Sequence, residues 1–265
     1  MPETNLESVL DERDIGEGKP DFPLQKDHPL LVIWKSDLSL QELKIIDVYL
    51  TMTNIRSRRF SMKKNELEKK LNVQRIRADM LEKHLQTLQM PIVDEYTKKR
   101  GISLFKVAAV SMKRVELIGT PELFRIFNRD MVAVISNDLP VLMQFTRRFI
   151  YILYRYLSVN RSCVSWTVPL EELRSIMGCT GKTYDQYKFF NNKALRIAYD
   201  EICANTDLVY TYDPVRMGGK IEAVRFIIME EEDVQDDAGQ LFEDRSITRA
   251  RGDLWIYVNT LNTKS

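Results

Sequence analysis

A cluster of amide and cationic side chains stands in the stretch "YDQYKFFNNKALRIAYDEI", which runs from residue 184 to residue 202. Its candidate ligand-contacting residues are Lys188, Asn191, Asn192, Lys193 and Arg196. Asparagine can bond adenine through two hydrogen bonds, and arginine and lysine can bond guanine or phosphate. A catalytic site would instead need carboxylates, histidines or a thiolate. The cluster therefore favours binding of a polyanion over catalysis.

The spacing within this stretch predicts one long amphipathic helix. An apolar face is predicted from the positions of Tyr187, Phe190, Ala194, Ala198 and Ile202. The opposite face carries the cations and amides at i, i+4 and i+8, namely Lys188, Asn192 and Arg196. Each of these polar residues, taken alone, is also compatible with an ordinary solvated surface position.

The charge distribution supports the same interpretation. The formal net charge of +1 hides two acidic ends, because residues 1–30 hold three Lys or Arg against eight Asp or Glu, and residues 230–265 hold four against nine. Residues 31–229 therefore carry a formal charge of +11. A basic body of this kind is typical of a protein that binds nucleic acid.

Signals for other chemistry are weak. The stretch "TGKT" lacks the earlier glycine of a phosphate-binding loop, since that position is Ile176; we interpret Lys182 as a cation that faces phosphate at a helix start. His28 and His84 are far apart, and three scattered cysteines favour neither a zinc site nor a disulfide framework. We expect no enzymatic activity, no metal and no cofactor. With no signal peptide and no long apolar run, a bacterial cytoplasmic location is expected.

The order of predicted elements gives the fold. "SLQE" (Ser39 to Glu42) predicts a capping box that opens a helix, and "RRFSM" predicts an extended segment. A short helix over "KKNELEKKLNV" and a longer one over "QRIRADMLEKHLQTLQ" follow. "MPIVDEY" and "ISLFKVAAVSM" are predicted to pair as strands around the turn "TKKRG". This order is that of a winged helix-turn-helix, and "PELFRIF", a strand "MVAVIS" and "NDLPVLMQF" are predicted to close the domain.

The same order then recurs, which indicates an internal duplication. "TRRFIYILYRYL" predicts a helix, "CVSWTV" an extended segment and "PLEELRSIM" a short helix. The long helix and a hairpin with Gly218 and Gly219 in its turn complete the second unit. We therefore predict an α+β protein with two tandem winged helix-turn-helix domains, mostly helical with small antiparallel hairpins.

The duplicated fold extends the set of candidate residues. The second helix of a helix-turn-helix lies in the major groove, and its N-terminal residues contact base edges and phosphates. The equivalent place in the first unit offers Lys69, Lys70, Gln74, Arg75 and Arg77. The two hairpin turns, or wings, are predicted to contact the sugar–phosphate backbone through Lys98, Lys99 and Arg100 in the first unit and Arg216 and Lys220 in the second.

Several segments of the second unit resemble one protein family. The aromatic-rich helix "FIYILYRYL", the helix "LEELRSIMG", the spacing "YxxYKxF…LxxAxxEI" and "TDLVYTY" before a basic hairpin are similar to the second domain of iteron-binding plasmid replication initiators. The resemblance covers residues 133–229 well and residues 28–132 more loosely. That family carries a denser basic run where this chain has "NNK", which implies a different target or a weaker contact with phosphate.

The resemblance implies a function and partners. It implies a non-enzymatic protein that binds direct repeats in double-stranded DNA at a plasmid origin and recruits host replication proteins, namely a helicase and an initiator. It also implies a homodimer, joined through the first domain and in equilibrium with the monomer, that represses its own gene. A winged-helix transcriptional regulator without an initiation role is the alternative, and a protein-interaction module is a third class.

The expected organisation of the chain has four parts. An acidic leader over residues 1–30, expected to be poorly ordered, precedes a first winged-helix domain over residues 31–145 for DNA binding and dimerisation. The second winged-helix domain, over residues 146–229, is expected to be the main reader of DNA. An acidic extension over residues 230–265 ends the chain.

Overall fold

The computed structural model describes residues 24, 28–53, 57–93, 101–111 and 113–229. The predicted acidic leader, the acidic C-terminal extension and the turn containing Lys98, Lys99 and Arg100 lie outside the described residues, except for a few leader positions. The helices in chain order are α1 (Pro29–Lys35), α2 (Leu40–Met52), α3 (Lys64–Lys70), α4 (Ala78–Gln89), α5 (Pro121–Ile126), α6 (Arg129–Leu142), α7 (Arg148–Val159), α8 (Leu170–Met177), α9 (Tyr187–Phe190) and α10 (Arg196–Asn205). The strands are β1 (Arg59–Lys63), β2 (Phe105–Ser111), β3 (Arg114–Gly119), β4 (Ser165–Pro169), β5 (Val209–Met217) and β6 (Lys220–Met229).

The two winged units have the same topology. In the first unit β3 lies between β1 and β2, and in the second unit β6 lies between β4 and β5, with every pairing antiparallel. Each unit also places one helix before its first strand and two helices before its hairpin. The predicted α+β fold with two tandem winged helices is therefore confirmed.

Local signals account for the start of several helices. Ser39 and Glu42 form the predicted capping box, in which Ser39 N–H donates to Glu42 Oε2 over 2.7 Å and Glu42 N–H donates to Ser39 Oγ over 3.4 Å. Pro169 directly precedes α8, where its fixed φ suits a helix start. At the other end of α8, Gly178 has a φ of 70°, a conformation that glycine adopts without the cost of a Cβ clash.

One predicted strand is wrong. "MVAVIS" is helical, because Asn128 caps α6 through a 2.9 Å bond from Met131 N–H and buried Ile135 and Leu142 recur at helical spacing. The run of β-branched residues favoured a strand locally, but packing decided otherwise. The predicted pairing of "MPIVDEY" with "ISLFKVAAVSM" is described only at one antiparallel bridge, between Ile92 and Ile102, because residues 94–96 lie outside the described residues. The extended pairing of this unit is between β2 and β3.

Both long helices also begin later than the sequence predicts. In the first unit α4 begins at Ala78, so Gln74, Arg75 and Arg77 lie before the helix and not on it. The connection is held by Ile76, whose N–H donates to Glu68 Oε1 over 2.8 Å. In the second unit Lys182–Tyr184 form a separate 3₁₀ turn and Gln186 is extended, so the helix begins at Tyr187.

The two units share one hydrophobic core and a polar junction. Asp47 on α2 accepts hydrogen bonds from Arg155 on α7 at 3.1 and 3.2 Å and from the Tyr151 hydroxyl, and all three side chains are buried. Burial raises the pKa of Asp47, and the nearby guanidinium opposes this rise. A buried, mutually satisfied ion pair is costly to break, so this junction couples the two units.

Further hydrogen bonds hold α1 and α2 against the second unit. The Arg148 guanidinium at the start of α7 donates to three backbone carbonyls, those of Trp34, Ser36 and Leu38, over 2.7–2.8 Å. Lys35 on α1 pairs with Glu172 on α8. Although α1 precedes the first unit in the sequence, its contacts are with the second, and the predicted domain bounds stay a prediction.

Candidate nucleic-acid interface

The second unit presents one long helix on its surface, built from α9, the segment Asn191–Leu195 and α10. Its inner face is fixed by Phe190, Ala194, Ala198 and Ile202, each 0 % exposed. Phe190 also packs edge-on against Tyr184, with ring centroids 6.3 Å apart. These contacts determine which side of the helix faces solvent.

The solvent side carries the predicted cluster. Lys188, Asn192, Lys193 and Arg196 are exposed, so a ligand can reach the helix along this side. The Lys193 ammonium lies over the ring of Phe189, 5.6 Å from its centroid. Burial raises the pKa of the Tyr212 phenol, and the nearby charge of Arg196 opposes a small part of that rise. Four polar side chains on one exposed side meet the steric requirement for docking into a groove.

The middle of the long helix is wider than an α-helix. Over Asn191–Leu195 the chain forms a π-helical turn, in which Arg196 N–H donates to the carbonyl oxygen of Asn191. A π-helical turn closes i→i−5 hydrogen bonds and holds one more residue than an α-helical turn, so the angular spacing of the side chains changes across Asn191–Leu195. Such turns are frequent at functional sites.

Asn191 differs from its neighbours because it is half-buried. Its side-chain oxygen accepts a 2.8 Å hydrogen bond from the Tyr212 hydroxyl on β5. Burial raises the pKa of Tyr212 well above its usual range, so the phenol keeps its proton at neutral pH and acts as the donor. Tyr187 at the helix start likewise has its pKa raised to about 12 by burial. This contact between the helix and the sheet was not predicted.

The turn before the long helix holds Lys182 on the surface. Lys182 begins the 3₁₀ turn and is exposed. Just after it, Asp185 accepts a 2.7 Å hydrogen bond from Arg174, which is otherwise buried in α8. This ion pair ties the turn to α8 and thereby fixes the position from which the long helix starts.

The wing of the second unit is the β5–β6 hairpin. Gly218 and Gly219 have φ of 56° and 85°, as a tight two-residue hairpin turn requires. Arg216 and Lys220 stand exposed on either side of the turn, and the Arg216 guanidinium donates to the carbonyl oxygen of Gly219 over 3.3 Å. Both predicted cations are therefore at the tip of the wing, with exposed Met217 between them.

The candidate residues of the first unit are exposed but lie beside its long helix. Lys69 and Lys70 end α3, and Gln74 and Arg75 lie in the connection to α4. Arg77, at the N-cap of α4, forms a two-pronged pair with Asp79, with a shortest distance of 2.6 Å. Its charge is thus partly balanced before any ligand arrives.

Sequence reasoning missed two features of the surface. The exposed side of the first sheet carries further cations, which are Arg59, Lys63, Lys106 and Arg114. The alternation of exposed and buried residues along β1 indicates a strand. It does not indicate the pairing that brings the three strands of this sheet together. The second missed feature is the exposed ring of Phe189. Its neighbour Phe190 is the same residue type and is buried, so the residue type alone does not indicate which ring is exposed.

Comparison with known proteins identifies the second unit. Residues 169–228, from the end of β4 to the end of β6, match the family described as "Initiator Rep protein, WH2". The second unit is similar to the winged-helix domain of initiator Rep proteins. The resemblance to replication initiators that the sequence showed is therefore confirmed. The initiator Rep family is a DNA-binding family of replication initiators and not a classical enzyme family.

Solved structures with similarity to the chain come from RctB. A selenomethionine derivative of domains 2 and 3 of RctB is 11 % identical, with a TM-score of 0.44, and the match covers 72 % of this chain and 81 % of that one. Another crystal structure of domains 2 and 3 of RctB is 10 % identical, with a TM-score of 0.40 and coverage of 75 % and 86 %. No curated protein matches the chain.

The described residues contain neither a membrane-spanning helix nor a cluster of metal ligands. No helix there is long and apolar enough to cross a membrane. Within the same residues, no group of three or more His, Cys, Asp or Glu side chains could hold a metal ion. All three cysteines are buried, and burial raises the pKa of the Cys179 thiol to about 11.

Proposed function

We propose that the chain is a sequence-specific double-stranded DNA-binding protein that initiates plasmid replication by binding direct repeats at the origin. The observation that carries the proposal is that the initiator Rep domain exposes its cations and amides along one side of the long helix. The wing adds two exposed cations on the same unit. The +11 charge of the body supplies the field that attracts DNA.

The long helix is the proposed reader of base sequence. Its solvent side enters the major groove, where Asn192 has the donor and acceptor needed for two hydrogen bonds to adenine and Arg196 has those needed for guanine. Lys188 and Lys193 bond guanine or phosphate beside them. Lys182 before the helix, together with Arg216 and Lys220 on the wing, contacts the sugar–phosphate backbone and fixes the register.

Asn191 has a narrower proposed role than its neighbour. Its side-chain oxygen already accepts from Tyr212, which leaves the amide N–H groups for the DNA. An amide held in this way donates to guanine O6 or N7 or to thymine O4 and is poorly placed for the two bonds that adenine offers. Tyr212 thus positions a base contact from inside the domain.

The first unit is the proposed site of additional phosphate contacts and of dimerisation. Lys69, Lys70, Gln74 and Arg75 face solvent next to α4 and contact phosphates in a neighbouring groove segment, about one helical turn away. We propose that dimers repress the gene that encodes the chain, while monomers bind the origin and recruit a host helicase and initiator.

Footprinting of the full chain on DNA that flanks its gene tests this proposal. We expect protection of an array of direct repeats, each covered over about two turns of the duplex. Protection of a single inverted operator near the promoter would instead favour a transcriptional regulator without an initiation role. Absence of any protection at low salt would contradict DNA binding altogether.

A further inference from the structure

Phe189 exposes a large apolar ring on the side of the long helix that carries the cations. The ring is 42 % exposed, while the adjacent Phe190 is completely buried. Phe190 alone therefore anchors this turn in the core, and the packing of the domain does not account for Phe189. The exposed part of the ring is apolar area that folding leaves in water, and a complex can bury it.

Charged neighbours indicate which partner fits the ring. Lys193 lies 5.6 Å from the ring centroid, one helical turn further on, and exposed Lys188 directly precedes Phe189. The attraction between the Lys193 ammonium and the ring holds the phenyl group beside the charged side chains. A ring flanked by two lysines complements a polyanion that also carries an apolar group. The 5-methyl group of thymine is such a group, and it is displayed in the major groove of DNA.

The first unit also has an exposed apolar side chain at the corresponding position of its long helix. Met80 is the third residue of α4 and is 41 % exposed, just as Phe189 is the third residue of α9. The N-terminal residues of the second helix are those that reach base edges in a helix-turn-helix. Both copies of the unit therefore place an exposed apolar side chain where base edges are contacted.

We infer that Phe189 determines specificity by contacting the 5-methyl group of a thymine in the recognised site. This inference rests on the proposed function, because it requires the long helix to lie in the major groove. It goes beyond that function by assigning a base and a chemical group to a residue that is neither charged nor polar. Discrimination of thymine from cytosine or uracil then depends on an apolar contact at this position.

Replacement of thymine by uracil provides the test, because uracil lacks only the methyl group. A site is first selected from random duplexes with the full chain, and each of its thymines is then replaced singly by uracil. One replacement is expected to weaken binding about 4-fold, the factor that corresponds to burial of one methyl group. The Phe189→Ala variant is expected to bind the thymine site more weakly than the wild-type chain does. Replacing that thymine by uracil is expected to weaken binding of this variant no further. Phe189→Gln, which keeps good helix propensity, is expected to show the same loss of sensitivity.

Val164→Ala serves as the matched control, since Val164 is also exposed and apolar but lies at the end of the sheet opposite the wing. This control is expected to keep the wild-type sensitivity to uracil. If both Phe189 variants keep that sensitivity as well, or if no thymine is sensitive in the wild-type chain, the inference is wrong while the proposed function stands. If the full chain selects no duplex, the proposed function fails and the inference fails with it.

Discussion

The long helices of the two winged units differ in charge although their topology is the same. In the second unit the solvent side carries Lys188, Asn192 and Arg196, and no acid interrupts these residues. In the first unit the first turn of α4 carries Asp79, bound to Arg77, and Glu82 follows. The candidate cations Lys69, Lys70 and Arg75 of this unit lie on α3 and in the connection. We therefore propose that the two copies of the unit have different tasks, with base reading in the second and contact with the backbone of DNA in the first.

Salt dependence gives the largest expected effect and tests whether both units contact DNA. With ~6–8 phosphates neutralised, log affinity is expected to fall with log salt at a slope of about −5 to −7, or roughly 10³- to 10⁴-fold between 50 and 200 mM. Replacing Lys69, Lys70 and Arg75 together by Gln is expected to make the slope shallower by about 3. Titrations by fluorescence anisotropy measure both quantities. A wild-type slope near −1 would contradict groove docking, and an unchanged slope in the triple variant would confine DNA binding to the second unit.

The buried junction tests whether the two units behave as one body. Asp47→Asn leaves Arg155 buried without its counter-charge, and we expect a loss of about 3–5 kcal/mol in the free energy of unfolding. Urea denaturation followed by circular dichroism measures the change. The matched control is Asp79→Asn, which removes an exposed ion pair and is expected to cost no more than about 1 kcal/mol. Equal and small effects of the two substitutions would show that the units are only loosely joined.

Substitutions of Arg196 and Lys70 distinguish a contact with bases from a contact with phosphates. Arg196→Ala is expected to cost about 1–3 kcal/mol of binding free energy and to relax the preference at one base pair, because a two-pronged contact with guanine is lost. Lys70→Ala is expected to weaken binding equally on all sequences. Affinities for a panel of single base-pair variants distinguish the two outcomes. An unchanged base preference in Arg196→Ala would remove this residue from the set of readers.

Tyr212→Phe gives the smallest expected effect and tests the internal support of the reading helix. The substitution removes the hydroxyl that donates to Asn191 and keeps the ring in the core, so we expect a loss of about 1 kcal/mol of binding free energy. The free energy of unfolding, measured in parallel, should change by a similarly small amount. Preference at the base contacted by Asn191 should broaden, because its amide is then able to turn. A wild-type preference in this variant would show that Tyr212 does not position Asn191.

The parts of the fold that depend on local pattern were predictable from the sequence. The repeated order of elements, the capping box at Ser39 and the core side of the long helix follow from spacing and capping, and the structure confirms them. Contacts between distant segments were not predictable. The junction of Asp47 with Arg155 joins residues more than 100 positions apart, and the wrong strand over "MVAVIS" came from local propensity that tertiary packing overrode.

The candidate site likewise has a part that was predictable from the sequence and a part that was not. Exposure of Lys188, Asn192 and Arg196 follows from the helical pattern, but the contact of Asn191 with Tyr212 and the exposure of Phe189 require the hairpin to be in place. The start of each long helix was also missed, because a residue in the preceding turn, Ile76 or Asp185, is held by a bond that the sequence does not reveal. Which of the exposed residues contact DNA stays a prediction.

The wide turn at Asn191–Leu195 lets the long helix tolerate one particular change in its length. A π-helical turn holds one residue more than the α-helical turn it replaces, so deletion of one residue there is expected to restore i→i−4 bonding while the flanking turns keep their faces. Phe190 and Ala198 would then stay in the core. Loss of one residue elsewhere in the long helix has the opposite consequence, because it rotates the residues before it by about 100° relative to the anchored end.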